Sequence, residues 1–123
     1  MDRFFFTCGA IAAFIGVGFG AFGAHALKNR LSPDMLNIFE VGVRYQMYHV
    51  FALLFIGLAI RLGRRPRLLS MAGWCFAAGI VIFSGSLYAL ALTGTTMLGA
   101  ITPIGGLAFL VGWLLIIIDS RHP

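Results

Sequence analysis

Between Leu68 and Ile118 the chain runs for 51 residues without a formally charged side chain, and that run decides what kind of fold is available. The hydrocarbon core of a bilayer takes about 20 residues of helix at roughly 1.5 Å each. The run is therefore two membrane spans, joined through the turn-forming Thr93-Gly94-Thr95-Thr96. Two more uncharged stretches, Phe4 to Leu27 and Tyr45 to Ile60, raise the count to four. In water such a chain has nowhere to hide its apolar surface, because 60% of it is hydrophobic, only 11% is charged and its mean hydropathy is +0.97. The expectation is an all-α integral membrane four-helix bundle, one transmembrane domain over residues 1–123, with spans near 4–27, 42–62, 68–92 and 98–118.

The Tyr45 to Ile60 stretch is short for a span when taken alone. Ser32-Pro33 supplies a helix start, a capping hydroxyl followed by proline at the first helical position, with Asp34 in the first turn where the helix dipole favours it. No breaker follows before Gly63, so one helix from about Pro33 to Leu62 is predicted, with Arg44 and Arg61 reaching towards opposite surfaces. Thr102-Pro103 repeats the start signal for the last helix.

The net charge of +5 does not point to nucleic acid, because the basic residues are placed as a topology signal. With four spans, Arg3, Arg61, Arg64, Arg65, Arg67 and Arg121 fall on one side; Lys28, Arg30 and Arg44 fall on the other, offset by Asp34 and Glu40. The positive-inside rule then puts both termini and the arginine loop in the cytoplasm, where the loop can meet anionic lipid. Trp74 and Trp113 lie near the cytoplasmic ends of their spans and Tyr45, Tyr48 and Tyr88 towards the outer side, as interfacial aromatic belts would.

Arg3, the apolar run after it and Ala24-His25-Ala26 also have the outline of a cleavable secretory signal. The apolar segment is longer than a signal's hydrophobic region and carries small residues at packing spacing, so it is read as a retained span. Cys8 and Cys75 form no C-x-x-C and are read as reduced, buried spectators.

In lipid, helices associate through close packing and interhelical hydrogen bonds, and small residues every four positions mark the contact face. Ala12, Gly16, Gly20 and Ala24 form such a ridge, with Gly9 and Ala13 beginning another. Gly85, Ala89 and Thr93 share the spacing in the third span, and Gly105, Ala108 and Gly112 lie on one face of the fourth. These ridges suit packing within one chain or a self-association face equally. A faint echo lays Gly23-Ala24-His25-Ala26-Leu27 on Ser86-Leu87-Tyr88-Ala89-Leu90, which would make a parallel repeat of two helical hairpins; chance likeness of apolar segments is the simpler account.

Polar side chains inside a span are costly, and so they point to the candidate site. By helical rise, His49 lies about 18 Å and Arg44 about 25 Å from the Arg61 level. Glu40 and Arg44 are spaced as an i, i+4 ion pair, Tyr48 continues that row, and Tyr45 and His49 form the next, with Gln46 in the same band. His25 ends the first span on this side, and Ser84, Ser86 and Tyr88 bring the third span to similar depth. One reading has these groups satisfy one another and fix helix register. The other makes them a pocket for a lipid, a quinone-like molecule or another small amphiphile, with His49 and Tyr48 as hydrogen-bonding partners. Metal binding by His25, His49 and Glu40 has no H-x-x-x-H or H-E-x-x-H spacing behind it. No nucleophile with a nearby base, phosphate loop or carboxylate pair is visible, so no catalytic residue and no cofactor are predicted and the chain is not expected to be an enzyme.

Gly20-Ala21-Phe22-Gly23-Ala24-His25-Ala26-Leu27, Tyr45-Gln46-Met47-Tyr48-His49, Phe83-Ser84-Gly85-Ser86-Leu87-Tyr88 and Thr102-Pro103-Ile104-Gly105-Gly106 together resemble a bacterial family of small four-helix membrane proteins of unknown function, the YgdD and YwdK type. The resemblance covers nearly the whole chain. It implies a multi-pass protein of the bacterial inner membrane with its first span intact, and it carries over no catalytic residue. The role expected is a non-enzymatic accessory, assembly or scaffold component, in contact with the lipid bilayer and built into a homo-oligomer or a larger membrane complex. The alternative is a small transport or ligand-binding protein using the outer polar groups.

Overall fold

The computed structural model describes residues 1–122 and is helical throughout its regular structure. Four helices are long and apolar enough to cross a membrane: α1 (Asp2–Leu27), α2 (Pro33–Arg61), α3 (Pro66–Thr93) and α4 (Thr102–Ser120), the last preceded by a 3₁₀ turn at Thr96–Ala100. Local chemistry sets the boundaries. The Ser32 side chain accepts a hydrogen bond from the Met35 N–H at 3.2 Å, and Pro33 supplies the first helical position of α2, which ends at Arg61. Gly94 ends α3 in the left-handed conformation, φ +72°, with its N–H on the Leu90 carbonyl.

α2 and α3 form the shared centre, with α1 packed chiefly on α2 and α4 chiefly on α3. The half of the bundle near the arginine loop has an apolar core of Phe5, Leu53, Ile56, Leu69, Phe76 and Phe109. At the same end, Arg61 pairs with Asp2 at 3.2 Å and Arg64 with the buried Asp119 at 2.6 Å. Side chains such as Phe14, Phe22, Val81 and Leu110 stand fully outward, as lipid contact allows.

The small-residue ridges are spent inside the chain. A Cβ on Gly16 would lie 2.5 Å from Met47 Sδ, one on Gly20 3.1 Å from Val43, and one on Gly9 2.9 Å from Leu54, so this face of α1 is laid against α2. Gly105 faces the Phe83 backbone and Gly112 the Phe76 ring, whereas Gly85 has open space before it. Gly16, Gly105 and Gly112 are buried and serve packing within the chain, while Gly20 touches Val43 and stays exposed.

α1 and α3 each contain a π-helical stretch, at Gly18–Gly23 and Ile80–Ser84. The likeness of the two hairpins extends to their packing. Gly16 meets Gln46 across α1 and α2, and Gly79 meets Phe109 across α3 and α4, the residues of each hairpin standing 63 positions from their counterparts. Gly20 against Val43 corresponds in the same way to Phe83 against Gly106, with the small residue exchanged between partners. The two hairpins thus share these packing positions at the same 63-residue offset that separates His25 from Tyr88.

Candidate functional site

Gln46 is the centre of the polar half. Its Nε2 donates to the Ala12 carbonyl of α1 at 2.7 Å, and its Oε1 accepts from the Tyr88 hydroxyl of α3 at 2.6 Å. Both contacts need missing Cβ atoms. Gly16 lets α1 approach Gln46, and Gly42 makes room for the Tyr88 ring, which a Cβ there would meet at 2.8 Å. Tyr88 also packs edge-on against Phe19, with ring centroids 5.0 Å apart, and against Phe39. Its hydroxyl is turned into the bundle and its ring is partly buried.

His49 is held by two hydrogen bonds and a stack. Its Nδ1 lies 2.7 Å from the Tyr45 carbonyl, which can only accept, so Nδ1 carries the hydrogen. Nε2 is then free to accept the indole N–H of Trp113 at 3.0 Å, and the ring stacks on Phe109 at 3.6 Å with 5° between planes. Both nitrogens of the neutral ring are used. Trp113, still partly exposed, ties α4 to α2 through this bond.

Two further bonds close the network. The Ser84 hydroxyl donates to the Gly42 carbonyl at 2.7 Å. Ser86 donates to the Phe83 carbonyl at 2.9 Å, which leaves its oxygen to accept from Thr102 of α4 at 2.6 Å. Among the described residues no buried side-chain nitrogen or oxygen lacks a partner.

Gln46, His49, Ser84, Ser86 and Tyr88 are therefore brought together through the bundle, while His25, Glu40 and Arg44 are exposed and outside the network. The expected Glu40–Arg44 ion pair does not form: the ion pairs among the described residues are Met1–Asp2, Arg61–Asp2 and Arg64–Asp119, all at the arginine end. Tyr45 contributes its carbonyl, and among the described residues neither the Tyr45 nor the Tyr48 hydroxyl makes a hydrogen bond. Among the described residues no group of three His, Cys, Asp or Glu could hold a metal. Beside His49 a lateral groove of about 680 Å³ opens between α2 and α4, walled by Tyr45, Tyr48, Phe83, Gly106, Phe109 and Trp113.

Thr102 and Trp113, and the carbonyls of Ala12 and Gly42, were not read from the sequence as site groups. A threonine at a helix start and a tryptophan near a helix end have everyday explanations, and a carbonyl has no letter of its own. The signal was available only for Trp113, whose indole N–H needs a partner wherever it is turned inward.

Comparison with known proteins supplies the family and no activity. Residues 19–106 match the family model described as "Protein of unknown function (DUF423)". UPF0382 membrane protein SH2409 of Staphylococcus haemolyticus is 48% identical over 118 residues, covering 96% of this chain and 95% of the relative. UPF0382 membrane protein YwdK of Bacillus subtilis is 44% identical over 119 residues, 96% of each chain. No solved structure matches the chain. Matched over most of its length by the family model and nearly end to end by these bacterial relatives, the chain belongs to the DUF423 family of multi-pass membrane proteins of unknown function.

Proposed function

We propose that this protein is a non-enzymatic component of the bacterial plasma membrane, an accessory or assembly element with both termini and the arginine loop in the cytoplasm. The observation that carries the reading is the closed accounting of the polar half: every buried polar side-chain atom among the described residues has its partner inside the chain. A transport or catalytic site keeps polar groups free for its substrate, because a group already satisfied has little to offer one. Here Gln46, His49 and Tyr88 are spent on joining helices, and the surface left for work is the lipid-facing exterior.

Crosslinking in intact membranes followed by native electrophoresis in mild detergent tests this reading. A discrete species heavier than the 13.3 kDa chain, containing it together with a reproducible neighbour, is the expected result. A chain that is monomeric in every detergent and yields no crosslinked neighbour overturns the reading. Orientation is checked separately with single cysteines at Gly63 and Thr95 in a background without Cys8 and Cys75. An impermeant maleimide added to intact cells should label Thr95→Cys and spare Gly63→Cys.

A further inference from the structure

Arg44 is the one charged side chain on the middle stretch of α2 between Glu40 and Arg61, and it lies about 25 Å by helical rise from the Arg61 level. A hydrocarbon core about 30 Å thick places it just inside the far boundary, where an arginine reaches outward to a phosphate plane. It is exposed, and no carboxylate pairs with it among the described residues. Tyr45, one residue deeper, and Tyr48, one helical turn deeper, line the groove, and among the described residues their hydroxyls have no acceptor. The aromatic groove that they help to wall runs between α2 and α4, along α4 from Pro103 to Trp113. Ten residues of helix separate those two positions, about 15 Å, which is the depth of one leaflet's hydrocarbon.

We propose that this groove binds one phospholipid of the leaflet far from the arginine loop, with an acyl chain along the groove, an ester carbonyl accepting from Tyr45 or Tyr48, and the phosphate at Arg44. A cation at the shallow end and two hydroxyl donors in the wall of an apolar channel match a phospholipid's phosphate, ester and chain. The uncompensated charge of Arg44 selects a phospholipid over an uncharged quinone, which would leave the guanidinium without a counter-ion. Gly106 keeps the channel open: a Cβ there would sit 3.8 Å from Phe83, an ordinary contact, so the backbone tolerates a side chain while the groove is filled by a larger one.

Trp113 lines the groove and reports on it directly. In a Trp74→Phe background it is the sole tryptophan, and the purified full chain in detergent is titrated with phosphatidylglycerol brominated on its acyl chains. Saturable quenching of Trp113 is expected, competed by unbrominated phosphatidylglycerol. Arg44→Gln should weaken the apparent affinity about fivefold, the worth of one basic side chain at a lipid surface. Tyr45→Phe with Tyr48→Phe should weaken it further, and Gly106→Leu should remove the saturable phase. Leu110→Phe narrows the same channel from its exposed side and replaces Gly106→Leu if circular dichroism shows the latter unfolded. Quenching that rises in proportion to brominated lipid and is equal in all variants means ordinary surrounding lipid and overturns the proposal. So does saturable quenching by decylubiquinone that phosphatidylglycerol cannot compete.

Discussion

An amide side chain in lipid is useful because it donates and accepts at once, and Gln46 uses both capacities to bind α2 to α1 and α3. Such bonds inside membrane proteins contribute about 0.6 kcal/mol on average, since the unfolded chain in the bilayer also finds partners. Gln46→Leu and Tyr88→Phe should each lower stability by about 1 kcal/mol, and the double variant by less than their sum, with a coupling near 0.6 kcal/mol. Unfolding of all four proteins in mixed micelles measures this; strict additivity would remove the bond from the account. At this scale the sequence shows which residues matter better than whom they meet. Gln46, His49, Ser84, Ser86 and Tyr88 stand out as polar letters in apolar runs. Their depth follows from helical rise, but the direction each faces depends on how helices are rotated against one another. Depth therefore could not separate Tyr88, which turns inward, from Tyr48, which faces out.

The helices themselves are the most legible level, because a bilayer leaves a 51-residue uncharged run few alternatives. The start of α2 was readable from Ser32-Pro33 for the same local reason that the structure displays, a hydroxyl accepting from an early N–H. The π stretches were not readable, since they hold an additional residue in a turn with no distinctive side chain. They make a test possible. Removing Val81, exposed within the π stretch of α3, should return that turn to α geometry while Gly85–Thr93 keeps its facing towards the bundle. Removing Phe51, equally outward but in the regular α2, turns Gln46 and His49 by about 100° relative to Ile56. Thermal unfolding followed by circular dichroism should show the Val81 deletion folded and the Phe51 deletion severely destabilised. Equal damage from both would deny the π stretch its role as slack in the helix.

For the molecule as a whole, the division of labour lies along the membrane normal: apolar packing and ion pairs near the arginine loop, hydrogen bonds at the other end. The four-helix class was legible from composition and charge, and the likeness of its halves only weakly, because packing partners 63 positions apart share geometry more than residue type. The two ion pairs at the arginine end have a consequence for connectivity. Asp2 is tied to Arg61 and Asp119 to Arg64, so the chain's two ends flank the short loop between the hairpins. Both hairpins enter from that same side. A circular permutant opened between Leu62 and Gly63, with Ser120 joined to Asp2 by a flexible linker, should therefore insert and fold with every span keeping its direction, its ellipticity and melting temperature near those of the parent. The order of the halves along the polypeptide would then be an accident of where translation begins, and the assembly of the bundle indifferent to it.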